Sequence, residues 1–175
     1  QQAIQLFNTH NPGSKELAAT YNIAGLMYIR LKERKAAHRF FSKAVAFNKQ
    51  LDEVYQLGEN YDNLGDWYAA TGSLEEALRF YDLAIHCFRG ESQSGKVEDA
   101  QYRVKLFTPL ISRATTLYGL YQQQQSPLLK VFTSYAQVDS LLQSLRYDFT
   151  DEQSQTFTVT KVKPVYEEAI ALCYA

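Results

Sequence analysis

Two stretches of this chain carry matching side chains at the same intervals. Residues 61–84, YDNLGDWYAATGSLEEALRFYDLA, place Tyr61, Leu64, Gly65 and Tyr68 ahead of Ala77, Tyr81 and Ala84. Tyr21, Ala24, Gly25 and Tyr28 stand ahead of Ala37, Phe41 and Ala44 in the same spacing. A weaker third copy has Tyr118, Gly119, Val131, Tyr135 and Val138, and Ile170, Ala171 and Tyr174 read as the start of a fourth. A glycine inside a helix costs roughly 1 kcal/mol relative to alanine. Small residues recurring in good helix-forming sequence therefore point to helices that cross closely, with aromatics filling the space beside each crossing. Internal repetition of this kind decides architecture, because each unit buries its apolar face only against neighbours.

The spacing predicts pairs of helices. Helices are expected at 14–31, 34–50, 53–71, 74–89, 97–124, 127–146 and 152–175, with residues 1–10 as the last helix of a preceding repeat. Gly72 falls where the first helix of the second copy must stop, and the left-handed conformation is expected there. Ser73 with Glu76 reads as a capping box. Ser14 reads as a cap, as does Ser126 with Pro127 as the first helical residue. The first copy, RLKERKAA, has neither glycine nor cap at its turn, which is expected to be the least well specified. Residues 89–96, RGESQSGK, and 147–155, YDFTDEQSQ, read as loops.

Composition narrows the function classes. Apolar residues make up 46% of the 175-residue chain, which argues for a folded core. Eighteen basic and 19 acidic residues leave a formal charge of −1. That balance lacks the basic excess of a nucleic-acid binder, and no nucleic-acid partner is expected. No apolar run reaches the roughly 18 residues a membrane span needs, so no membrane partner is expected within these residues. The chain opens and closes inside its own pattern, at QQAIQLF and EEAIALCYA. It reads as a piece of a longer array, which is expected to self-associate through one exposed end or to fray there.

The repeat resembles the tetratricopeptide repeat. That family's signature is an aromatic, Leu-Gly two residues on, then Tyr, and later Ala, an aromatic and Ala. Tyr61, Leu64, Gly65, Tyr68, Ala77, Tyr81 and Ala84 match it throughout; the first copy departs at Ala24 and at Lys32, where leucine and a turn glycine are usual. The resemblance implies an all-α fold, a right-handed superhelical solenoid of antiparallel helical hairpins. It implies one array, with repeats at about 18–52, 58–90 and 112–146 and partial repeats at 1–12 and 164–175. The copies lie further apart than the family's usual repeat of about 34 residues, so the extra residues are expected to lengthen helices or form loops. YAQVDSLLQSLRYDF followed by KVKPVYEEAIALCYA is similar to the repeat arrays that precede the caspase-like CHAT domain of bacterial proteins.

Catalytic chemistry is not expected. His10, His38 and His86 are scattered, and Cys87 and Cys173 lie too far apart for a disulfide framework. His86 and Cys87 are adjacent, so on a helix their side chains diverge by about 100°. No metal ligand set and no cofactor motif is present; GESQSGK lacks the spacing and the preceding strand of a phosphate loop. His38 reads as a surface residue, and Cys173 as a small core residue.

The resemblance places function in the concave groove lined by the first helix of each hairpin. It assigns Asn22, Leu26, Ile29 and Arg30 to the groove from the first copy, and Glu59, Asp62, Asp66 and Ala69 from the second. The third contributes Arg113, Thr116, Leu120 and Gln123. The Lys/Asn/Arg set with which some relatives clamp a C-terminal carboxylate is not reproduced: Asn22 and Leu26 stand at the first two positions, and only Asn63 and Arg113 partly match. The implied function is protein–protein interaction, as a scaffold or sensor binding a peptide or a neighbouring domain, within the regulatory repeat region of a CHAT-type protein. The alternative is a stand-alone adaptor or the sensor part of a bacterial signalling protein, such as a histidine kinase or regulator.

Overall fold

The computed structural model describes residues 14–90, 96–145, 163–164 and 166–172, and every regular element among them is helical. The chain is all-α. It forms two compact units, residues 1–88 and 89–175. The first contains α1 (Lys15–Arg30), α2 (Arg34–Gln50), α3 (Val54–Ala70) and nearly all of α4 (Leu74–Arg89). The second contains a 3₁₀ turn (Val97–Asp99), α5 (Arg103–Gln122), α6 (Leu128–Leu145) and helical residues at 163–164 and 166–172, here α7. The expected partial repeat at 1–12 lies outside the described residues, as do residues 91–95 and 146–162.

Within the first unit the helices follow one another through three-residue turns, so the extra repeat length goes into the helices. Each turn is the same hydrogen-bonded device. A residue with positive φ follows the helix end: Lys32 (61°), Asp52 (54°), Gly72 (85°) and, between α5 and α6, Gln124 (59°). Its N–H donates to the carbonyl three residues back, and the next N–H donates to the carbonyl five back. For Gly72 and Ser73 these acceptors are Ala69 and Tyr68, at 3.1 and 3.0 Å. For Lys32 and Glu33 they are Ile29 and Tyr28, both at 2.9 Å. This is the Schellman motif, which satisfies carbonyls that a helix end would otherwise leave unpaired. The turn at Lys32 is thus as well formed as the turn at Gly72, contrary to the expectation from its sequence. The bond pattern dictates the conformation, and lysine adopts it at a cost in backbone energy.

The close crossings are where the small residues predicted them. A Cβ on Gly25 would fall 2.5 Å from Cδ1 of Phe41, and one on Gly65 would fall 2.6 Å from Cδ1 of Tyr81. Ala37, Ala44, Ala77 and Ala84 are fully buried. Beside each crossing the aromatic stack also repeats. Tyr28 and Phe40 stack at 5.2 Å and 6°, Tyr68 and Phe80 at 5.1 Å and 9°. Phe40 also lies 6.0 Å from Tyr21, as Phe80 does from Tyr61. Phe41 packs on Leu64 of α3 and so ties the first hairpin to the second. A buried hydrogen bond joins the same two helices, from Asn48 Nδ2 on α2 to Asn60 Oδ1 on α3 at 2.6 Å. His38 belongs to this junction and is not a surface residue. Its ring is 4.6 Å from that of Trp67 and its Nε2 is 3.3 Å from the Tyr68 hydroxyl.

The third hairpin keeps the architecture and changes the register. Counted from the helix ends at Arg30, Ala70 and Gln122, Gly25 and Gly65 correspond to Leu117, which is buried, and not to Gly119, which is half-buried. The shift arises because Ser126 and Pro127 are inserted between the turn and the start of α6. Ser126 is consequently not the cap of α6: its hydroxyl is buried without a hydrogen-bond partner, and Pro127 precedes the first helical residue. The expected helix at 97–124 begins only at Arg103. Ahead of it, Ala100 is extended, and Val97 and Ala100 are buried. The Ser14 cap is as expected, accepting from the Leu17 N–H at 3.2 Å.

Two outcomes test this account. A Cβ at Gly72 would meet nothing within 4 Å, so only its backbone conformation is at stake there. Lys32→Gly is expected to stabilise the first unit by roughly 0.5–1 kcal/mol, and Gly72→Lys to destabilise it by about as much, in urea titrations. Gly65→Leu is expected to cost about 2–4 kcal/mol, because the Tyr81 ring occupies the space. An unchanged midpoint for Gly65→Leu would contradict the crossing.

Candidate functional site

In the first unit α1 and α3 lie side by side. Asn63 Nδ2 on α3 donates to Asn22 Oδ1 on α1 at 2.9 Å, and Lys15 is ion-paired to Glu53. Asn22 and Asn63 therefore serve this junction. One turn along from their bond α1 carries Leu26 and α3 carries Asp66, and Arg30 follows one turn later on α1. Leu26, Ile29 and Arg30 are exposed; Glu59 and Asp62 are half-buried. Asp66 is exposed and accepts a 2.8 Å hydrogen bond from the Tyr81 hydroxyl, and all three carboxylates of α3 are engaged by neighbouring groups. Asp66 thus both lines this face and anchors the ring that packs on Gly65.

The exposed apolar surface of α1 is broader than its sequence positions indicate. Ile23, Leu26, Met27, Ile29 and the flanking Leu31 are between 39 and 64% exposed. The opposite side of the same helix buries Leu17, Ala18, Tyr21 and Gly25. The run NIAGLMYIRL is apolar around nearly the whole helix. That pattern, in a helix with only one side buried, is the signal that locates the surface.

Two predicted groove residues lie elsewhere. Leu120 is 5% exposed and is part of the second unit's core. Arg113 donates from Nη1 to Oγ of the fully buried Ser134 on α6, at 3.0 Å. The register shift accounts for both. Counted from the helix ends, Leu120 stands where Tyr28 and Tyr68 stand, and Arg113 where Tyr21 and Tyr61 stand. Ser134 stands where Phe40 and Phe80 stand. A charged hydrogen bond therefore replaces an aromatic contact inside the third hairpin.

The second unit has a feature the sequence did not announce. Phe132, Tyr135, Ala136, Val138 and Asp139 of α6 face Tyr166, Ala169 and Ile170 of α7 across an apolar cleft of about 320 Å³. Two crossed hydrogen bonds span it. Tyr135 donates to Glu168 Oε2 at 2.9 Å, and Tyr166 donates to Asp139 Oδ1. Burial, then the bond to the carboxylate and its negative charge, push the Tyr166 phenol up to about 12, and the Tyr135 phenol upward for the same reasons. In the first unit, Cys87 is buried, which pushes its thiol up, while the adjacent His86 is exposed. Among the described residues no three His, Cys, Asp or Glu side chains converge on a point, and no helix is long and apolar enough to cross a membrane.

Compared with protein-family models, with curated proteins and with solved structures, the chain finds no match in any of the three.

The tyrosine pairs make a pH prediction with a definite sign. A phenol held above its ordinary value of about 10 favours the folded state while it is neutral. Its contribution is complete below that value and is lost as the pH rises through about 12 for Tyr166. Phenolate absorbance is expected to show a late step near pH 12 that is missing in Tyr166→Phe. Loss of a step near pH 10 instead would place Tyr166 in ordinary solvent.

Proposed function

We propose that the chain is a tetratricopeptide-type protein-interaction module: a right-handed superhelical solenoid of helical hairpins that binds a peptide or a neighbouring domain. Three features support the fold reading. The glycine–aromatic crossing, the tyrosine–phenylalanine stack and the turn all recur in the first two hairpins, and the turn recurs in the third. The functional reading rests on the exposed apolar surface of α1. Burying a side chain of this size contributes about 1.5–3 kcal/mol relative to leaving it in water. Leu26 and Ile29, rimmed by polar side chains, fit a docking surface beside α3, on the face the repeat register assigns to ligand.

A random-peptide display library panned on the protein tests the reading. Enriched peptides are expected to bind the Leu26→Glu/Ile29→Glu variant at least tenfold more weakly. Both sites are exposed, so the variant is expected to keep its thermal midpoint. Failure to enrich any peptide, or equal binding by the folded variant, would refute it.

A further inference from the structure

We propose that the α1–α3 face selects a partner segment that combines apolar side chains with lysine or arginine. This rests on the docking role of the α1 surface and adds the chemistry of its occupant. The argument is one of charge. Helix α3 carries Glu59, Asp62 and Asp66 and not one basic residue between Val54 and Ala70. The three carboxylates fall at i, i+3 and i+7, and so share a face. The Tyr81 hydroxyl that Asp66 binds is a neutral donor and brings no positive charge to it. The cations of α1 stand at its two ends. Lys15 is ion-paired to Glu53, and Arg30 lies in the last turn. Between them α1 presents Leu26 and Ile29 on the side from which Asn22 meets α3, with no basic side chain, while the exposed Ile23 and Met27 lie round the helix from it.

A segment laid along this face meets apolar contacts from one helix and negative potential from the other. The selection does not require any of the three carboxylates to be unpaired. It follows from their summed field, which steers cationic ligands and repels phosphates and acidic segments. Single exposed ion pairs add little affinity. The acidic helix therefore acts on association rate and on choice of partner, and the apolar row supplies residence time.

Three synthetic peptides that share one leucine pattern test the proposal, differing only in carrying lysine, serine or glutamate at the remaining positions. Association is measured at low and at physiological salt. The lysine peptide is expected to associate about tenfold or more faster than the serine peptide at low salt, with the difference shrinking as salt screens it. The variant Glu59→Gln/Asp62→Asn/Asp66→Asn keeps the shapes and leaves Tyr81 an acceptor. It is expected to slow the lysine peptide to the serine rate and to leave the serine peptide unchanged.

Equal rates for the lysine and serine peptides, or an unchanged lysine rate in the neutral variant, would overturn the charge selection alone. Failure of all three peptides to bind would instead overturn the docking role itself. A self-associated protein that Leu26→Glu converts to monomer would make the occupant a second copy, and would overturn the proposal.

Discussion

An aromatic ring resting on a glycine is the contact on which the first unit depends. Phe41 lies over Gly25, and Tyr81 over Gly65, each closer than a Cβ would permit. That approach brings the two helices of a hairpin together and leaves only methyl-sized space along the crossing, which Ala37, Ala44, Ala77 and Ala84 fill. The adjacent Phe40 and Phe80 are then held between two tyrosines of the partner helix. Phe41 goes further, because its ring also meets Leu64 of the next hairpin. One side chain thus closes one repeat and docks the following one. Helix ends that must meet at fixed separations need the same turn each time, whether or not the turn has a glycine.

That last point separates what could be read in the sequence from what could not. Gly72 announces its conformation, since it is the residue that adopts positive φ without penalty. Lys32, Asp52 and Gln124 adopt the same conformation and give little sign of it. Their turns are set by hydrogen bonds to the preceding helix, a consequence of packing that no local preference reveals. The Asn48–Asn60 bond is likewise invisible in sequence: either residue alone reads as polar surface. Yet each is nearly fully buried, and removing one partner would leave the other unsatisfied at a cost of about 1–3 kcal/mol.

The third hairpin shows how a repeat pattern misleads by a small offset. Its second helix matches the first two copies at Val131, Tyr135 and Val138, so aligning on those residues is natural. Ser126 and Pro127 break the alignment of its first helix, because they lengthen the connection after the turn. Gly119 matches the crossing glycine by its spacing to the second helix, whereas Leu117 matches it by its distance from the helix end. The same offset made apparent groove positions of Leu120, which is in the core, and of Arg113, which is half-buried and bonded to the buried Ser134. By contrast, Leu26, Arg30 and Asp66 were legible as exposed, because no insertion interrupts the first two copies between α1 and α4.

The offset has a physical consequence for packing. Counted from the helix end, Leu117 stands at the position of the crossing glycine, and the Arg113–Ser134 hydrogen bond occupies the place of the aromatic pair. The first unit, free of that change, keeps the glycine crossings in both of its hairpins. Asp66 makes the coupling explicit. The carboxylate that faces outward beside Leu26 also holds the hydroxyl of Tyr81, whose ring closes the crossing at Gly65. A charge of the α1–α3 face and closure of the hairpin therefore meet in one residue. An amide there preserves the acceptor and removes the charge, whereas a lysine would remove both; only the amide separates the charge from folding.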